Sequence, residues 1–527
     1  MIQPEKLTKW LSVGLFVILI GGLIPSLFYK EQWLWLDEVL SYLLVSDPSL
    51  THMNDAIVSG MDANPPLFPN LYWLIGHGIS LNPIFLRAVS VLLFASTIAL
   101  FYRYVTSLIG TPVTNFVLIT LIVSLTYLNV TLATQVRAYA VFLLIGFGYF
   151  IALQRLIGAP SRISWLLAQY GLGLLLVFTH NFGLFYVAVS GAFFVVLWLW
   201  SGQRTYLLVL ATHGLIALSW LLLWYPEFAI QTQAGKPHSW IPLPTVTSFF
   251  RIAGELAPTL SAKLEMKPGM LTLTILRFVL VVGLFAYIAI PRLRKPFSTI
   301  KTDPAFGLYL LSGWIYIGVL AIAVGVSLVH TSVFLSRYLW PSHLLLVYQL
   351  LYAWYALGGR WTVWVFDSVW VRRAIPVYAL LLVGFLFYQN KKGGIPFTDG
   401  IMRYMPQLDS RYPVLFESAH YFLPIWFQDK GVNAHYLLNW KTANDKDNIL
   451  NATVEYKILE AVRNNYHINN ILPEHSLAHY ATSHFYVIDE SNRYQVEDFI
   501  RKGSIRVVRQ LPIDLPGHRI LECVIAH

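Results

Sequence analysis

The chain has 527 residues, 56% of them hydrophobic and 12% charged, with a mean hydropathy of +0.58. Soluble domains carry roughly 25% charged residues, so a water-soluble fold of this length is excluded. The formal charge is +10, but residues 391 to 527 hold 15 basic and 15 acidic side chains, so the whole excess lies in the apolar residues 1 to 390. Basic side chains there orient helices in a bilayer, and no nucleic-acid partner is implied. A single cysteine, Cys523, permits no internal disulfide.

Residues 1 to 390 break into eleven apolar runs, centred near Val17, Ala95, Leu121, Gly148, Gly173, Val189, Gly214, Val281, Ala321, Leu346 and Leu382. Crossing a hydrocarbon core of ~30 Å takes about 20 helical residues. The first run, Trp10 to Phe28, follows Lys6 and Lys9 but lacks a small-residue cleavage site, and so reads as an anchor rather than a signal peptide. With the N-terminus inside, the inner segments hold 13 basic residues, whereas the short outer loops hold only Arg137 and Arg337. The positive-inside bias therefore predicts a multi-pass plasma-membrane protein, with residues 391 to 527 on the extracytoplasmic side.

Three outer pieces follow in chain order. The first loop, 29 to 83, carries Glu31, Asp37, Glu38, Asp47, Asp55 and Asp62, half of the acidic residues in the membrane part. Its opening alternates acids with aromatic and apolar residues, which predicts an interfacial helix with Trp33 and Trp35 at headgroup level. The second loop, 226 to 269, holds Pro237, Pro242, Pro244 and Pro258 around Trp240, and the prolines forbid a long helix. Residues 391 to 527 alternate strand-like runs (Pro413 to Phe416, His484 to Ile488, Ile505 to Val508, Arg519 to Ile525) with helical ones. In the run from Asn451 to Val462, Asn451 reads as an N-cap, and Val454, Ile458, Leu459 and Val462 share a face. The expected fold is thus an α-helical polytopic membrane domain over 1 to 390, followed by a soluble α/β domain over 391 to 527.

Phosphate-binding glycine loops, zinc spacings and nucleophile elbows are absent from the sequence. The polar residues Asp37-Glu38, Asn64-Pro65-Pro66, Arg87, Gln135 to Tyr139, His180-Asn181 and Ser336 to Tyr338 come from six separate places, yet the topology puts all of them at the outer surface. The middles of the spans are nearly free of ionisable groups, which argues against an ion-coupled transporter. Several of these positions also have ordinary readings: Arg87 as an interfacial anchor or an acid's partner, Asn64-Pro65-Pro66 as a turn re-entering the membrane, and His180 equally as a structural hydrogen-bonder or a donor contact. The sequons at Asn129 and Asn451 read as chance.

Taken together, five motifs resemble those of the GT-C glycosyltransferases. They are Asp37-Glu38 after the first span, Pro65-Pro66-Leu67 closing the first loop, Arg137-Ala-Tyr139-Ala140 opening the fourth span, Thr179-His180-Asn-Phe-Gly-Leu184 at the fifth-to-sixth turn, and Arg337-Tyr338-Leu339 with Pro341 opening the tenth. The chain is most similar to the bacterial branch that holds protein O-mannosyltransferase-like and lipid A aminoarabinose transferase-like enzymes. That resemblance implies a sugar donor on a polyprenyl phosphate, a catalytic Asp37 with Glu38 beside it, and donor or phosphate contacts from Arg137, Arg337, Tyr139, His180 and Tyr338. It also implies an acceptor hydroxyl on a glycan, lipid or protein. Many relatives carry Glu and His where this chain has Gln135 and Asn64, which are poor ligands for most divalent metals, so a divalent metal is compatible with the resemblance but not supported by these residues, and no other cofactor is implied. A carboxylate base acting alone in direct displacement implies inversion at the anomeric carbon. A polymerase or ligase of lipid-linked glycans and a lipid-linked sugar transporter are the alternative readings.

Overall fold

The computed structural model describes residues 4–28, 33–234, 240–259, 269–366, 369–392, 400–444, 453–473, 476, 484–490 and 496–526. In a bilayer, backbone amides must be satisfied within each segment, so apolar runs become helices. All eleven predicted centres lie in helices. In chain order these are α1 (Pro4–Leu27), α5 (Pro83–Ile109), α6 (Pro112–Leu125), α8 (Tyr139–Gly158), α9 (Ile163–Thr179), α10 (Gly183–Ser201), α11 (Tyr206–Leu223) and the helices Met270–Leu293, Pro304–Val329, Trp340–Phe366 and Val369–Lys392. The first loop inserts α2 (Leu36–Val45), α3 (Leu50–Ala56) and α4 (Leu67–Gly78); α7 (Tyr127–Ala133) follows α6, and the second loop holds α12 (Tyr225–Ala234) and α13 (Val246–Glu255).

Among the described residues, eight helices are long and apolar enough to cross a membrane. Two expected spans are shorter, α6 at 14 residues and α9 at 17. The first stops at Thr126, whose extended backbone forms a bridge with Thr259 of the second loop, and Tyr127 N–H donates to Thr259 O at 2.7 Å before α7 resumes the path. Local caps set other boundaries. Asn82 accepts the Ile84 N–H ahead of Pro83 at the first turn of α5, and Asp303 accepts the Phe306 N–H.

Polar chains tie the bundle together. Asn129 receives the Trp340 indole N–H at 2.7 Å and pairs with His343, which also contacts Leu256 O. Asn129 is buried, so its sequon is a packing group rather than a glycosylation site. A second chain runs through mid-bundle from Tyr149 to Ser190, His213 and Gln169. Such interhelical hydrogen bonds are glue in an apolar medium.

Residues 414 to 525 build a six-stranded sheet in the order β3-β2-β1-β4-β6-β5, from β1 (Val414–Phe416), β2 (Ala434–Leu438), β3 (Ile471–Pro473), β4 (His484–Glu490), β5 (Ile505–Leu511) and β6 (His518–Ile525). The first four strands in that order pair in parallel and the last two antiparallel. All four predicted strands are present, whereas β2 and β3 had no prediction. The predicted helix is Thr453–Tyr466, with Leu459 and Val462 buried; Asn451, its expected cap, lies outside the described residues. The sheet domain docks on the first loop. The Gln428 amide pairs with both N–H and O of Leu34, the Tyr466 hydroxyl donates to Asp47 at 2.9 Å, and Asn465 donates to Ser59.

Candidate active site

Adjacent helical residues point about 100° apart, and α2 shows the consequence. Glu38 is buried and turned into the bundle, where Oε1 and Oε2 accept from Nε and Nη2 of Arg87 at 2.9 and 2.6 Å. Its Oε1 also accepts the N–H of Val136, the residue before Arg137, at 2.9 Å. Arg87 is thus an acid's partner, also donating to Trp33 O, and Glu38 braces the Arg137 turn from beneath rather than facing the cavity.

Asp37 faces the other way. One carboxylate oxygen lies 3.4 Å from Arg337 Nη1 and 3.8 Å from Arg137 Nη2. Arg137 also donates to Ser41 Oγ at 3.0 Å and lies 3.7 Å from Asp62. Asp62 is delivered by a kink at Gly60, whose φ of 102° suits glycine, and its carboxylate accepts from Asn64 at 2.9 and 3.1 Å. These groups line a cavity of about 340 Å³ that also takes in Trp35, Trp240 and Tyr338 and is closed from above by Ser418, His420, Val454, Glu455 and Ile458 of the sheet domain.

The Arg337 guanidinium carbon lies 5.7, 5.1 and 5.4 Å from the ring centres of Trp35, Trp240 and Tyr338. Trp35 therefore lines the site. Desolvation works against the charge of both arginines, but Asp37 and Asp62 beside Arg137, and Tyr139, Tyr338 and Asp37 beside Arg337, outweigh it and hold them above the usual guanidinium range. Behind them, His180 lies 5.0 Å from Tyr338 and 5.1 Å from Phe142, ring to ring. Burial, together with the two arginines, pushes His180 down to about 3, which keeps it neutral. Arg137 Nε, Arg337 Nε, the Tyr139 hydroxyl and His180 Nε2 are buried with no hydrogen-bond partner. The two arginines line the cavity, with the Tyr139 hydroxyl and His180 Nε2 buried near them, an arrangement suited to an oxygen-rich anion.

The structure thus gathers Asp37, Arg137, Arg337, Tyr139, His180 and Tyr338 at one site and sets Glu38 one layer below it. Sequence reasoning did not single out Asp62, Trp35, Trp240, His420 or Glu455 as site residues. Asp62 and Trp35 had signals, an acid two residues ahead of Asn64-Pro65-Pro66 and an aromatic two residues ahead of Asp37; Trp240, His420 and Glu455 arrive through long-range docking that leaves no local pattern. Among the described residues no group of three or more His, Cys, Asp and Glu side chains is placed to hold a metal ion.

No protein-family model matches this chain, and no curated protein sequence does either. Solved structures do, among them two of one protein. ArnT from Cupriavidus metallidurans bound to undecaprenyl phosphate superposes with a TM-score of 0.53 at 13% identity over 98% of each chain. The apo state of the same protein gives 0.54 at 13% identity, again over 98% of each chain. The likeness is one of fold and runs through both the helical bundle and the sheet domain. The chain thus shares the fold of that protein, a multi-pass bundle of apolar helices followed by a sheet domain, as the sequence led us to expect.

Proposed function

We propose that this chain transfers a sugar from a polyprenyl-phosphate donor to an acceptor hydroxyl in the cavity beneath the sheet domain. The observation that carries the reading is Asp37 set between Arg137 and Arg337 at a cavity that all three line, in a chain whose fold matches that of a protein bound to undecaprenyl phosphate.

The spacing supports a division of labour. At 3.4 and 3.8 Å the arginines hold Asp37 more loosely than the roughly 2.7–2.9 Å of a tight charge-assisted hydrogen bond. A donor phosphodiester matches the carboxylate's single charge, adds ester oxygens to its two non-bridging ones, and gains charge as the bond to the sugar breaks, so it takes over both guanidiniums and frees the carboxylate. The acceptor oxygen then bonds to the anomeric carbon as the bond to the phosphate oxygen breaks. Its proton passes to Asp37, the electron pair leaves with the phosphate, and the configuration inverts. General-base help of this kind is worth about 10²–10⁴-fold, and fixed guanidiniums stabilise the charge growing on the leaving group. Glu38 is a positioning residue, acting through Arg87 and the Val136 amide. Tyr139, Tyr338 and His180 build the donor wall, and His420 and Glu455 face the acceptor. The acceptor side lies outside the cytoplasm on the charge distribution of the loops.

The experiment is to incubate full-length, detergent-solubilised protein with polyprenyl-phosphate monosaccharides and look for released polyprenyl phosphate. Release that depends on added acceptor supports transfer. Movement of intact lipid-linked sugar across vesicles without release would favour the transporter reading instead.

A further inference from the structure

We propose that the opposite membrane face carries a binding site for the phosphate of an anionic phospholipid, built where α8, α9 and the Pro304–Val329 helix end. The 20-residue helix α8 begins at Tyr139 beside the Asp37 cavity and ends at Gly158, a rise of about 30 Å. The two sites are therefore a membrane thickness apart, and this inference does not depend on the reaction assigned to the first.

At that far end lies a recess of about 200 Å³, open on one side, whose rim carries Arg155, Arg162 and Lys301. Its walls include Gln154, Trp165 and Pro304, and Gly158 and Gly307 line it with no side chain to fill it. Gln154 is buried and its amide is committed to the Tyr104 hydroxyl and to Pro304 O, which fixes the back wall.

Three features distinguish this from cations that merely obey the positive-inside rule. First, Arg155 is held in place, its guanidinium carbon 5.6 Å from the Tyr104 ring centre and 5.9 Å from that of Trp165. Secondly, among the described residues neither Arg155 nor Arg162 forms an ion pair. The neighbouring carboxylate, Asp303, is engaged by Arg292 at 3.2 Å and by the Phe306 amide at 2.9 Å. Thirdly, Trp165 and Tyr104 supply the aromatic pair that favours headgroup depth. Three cations around a recess without a free acid attract a phosphodiester and repel the ammonium of a zwitterionic headgroup. The chemistry therefore selects an anionic lipid, and the buried Ile157 and Ile300 add an apolar patch to the wall of the recess.

The test is native mass spectrometry of the full-length protein in detergent, titrated separately with phosphatidylglycerol and phosphatidylcholine. We expect one retained phosphatidylglycerol that raises the unfolding temperature and that millimolar inorganic phosphate does not displace. Removing both guanidiniums, Arg155→Gln with Arg162→Gln, should weaken retention by roughly 25-fold, about fivefold for each basic residue held at an anionic lipid surface. Arg162→Gln alone, at an exposed cap position, should keep the fold and lose about fivefold. Arg373→Gln, a cation outside the recess, should leave retention unchanged. Equal retention of phosphatidylcholine, displacement by inorganic phosphate, or unchanged retention in Arg162→Gln would each overturn the assignment.

Discussion

Asp37 and Glu38 are chemically alike and consecutive, yet one meets two guanidiniums across an open cavity and the other is sealed against Arg87. The pairing was legible as an acidic dipeptide in the sequence; which acid faces which way depends on how α2 seats against α5, which no local pattern encodes. The difference has a measurable consequence. A buried ion pair adds little net stability, but removing one member strands the other charge, at a cost of about 3–5 kcal/mol. Glu38→Ala should therefore lower the unfolding temperature in detergent sharply, and an unchanged temperature would show that Arg87 finds other partners. His180 gives a pH-dependent case. Its folded value of about 3 lies below the ordinary 6.5, so as pH falls below about 6.5 the unfolded chain takes up a proton that the folded chain refuses. Stability is intact above that pH and falls below it, by about 2 kcal/mol at pH 5 from this one group. His180→Gln should flatten the acid limb of stability against pH; an equally steep limb in the variant would assign the slope elsewhere.

At the scale of elements, hydropathy alone placed all eleven helix centres, because a bilayer leaves the backbone few alternatives. It could not show that α6 stops at Thr126 to pair with the second loop, a contact made by residues 133 positions apart in the sequence. Nor did it reveal β3, three residues ending in Pro473, too short for an alternating pattern to register. The second loop, flagged by its prolines, forms the short helices α12 and α13. Gln231 donates to Asp62 O at 2.9 Å, Trp240 lies over Arg337, and Glu255 accepts from Ser336. Such a segment, resting on both arginine-bearing walls, is built to act as a cover. Hydrogen exchange of residues 240 to 259 should slow when a polyprenyl-phosphate sugar is added, and unaltered exchange would remove the lid from the account.

Across the whole molecule, the sheet domain and the first loop act as one cap, because Gln428, Asn465 and Tyr466 bind the loop that carries Asp37 and Asp62. That docking is what brings His420 and Glu455 over the cavity. On the orientation proposed from the charge asymmetry of the loops, this cap lies outside the cell. A thiol introduced at the exposed Arg411 should be labelled by an impermeant reagent in intact cells, and one at Arg294 should not; the reverse pattern would invert the topology.

The account rests on Asp37 acting as base once the phosphate has claimed its arginines. The most direct test compares single-turnover transfer and donor binding in wild type and Asp37→Asn, a change that keeps shape and hydrogen bonding but removes the base. Turnover should fall by roughly 10²-fold or more, with donor affinity unchanged or improved because the competing carboxylate charge is gone. Normal turnover in Asp37→Asn, or a loss explained entirely by weaker donor binding, would contradict it.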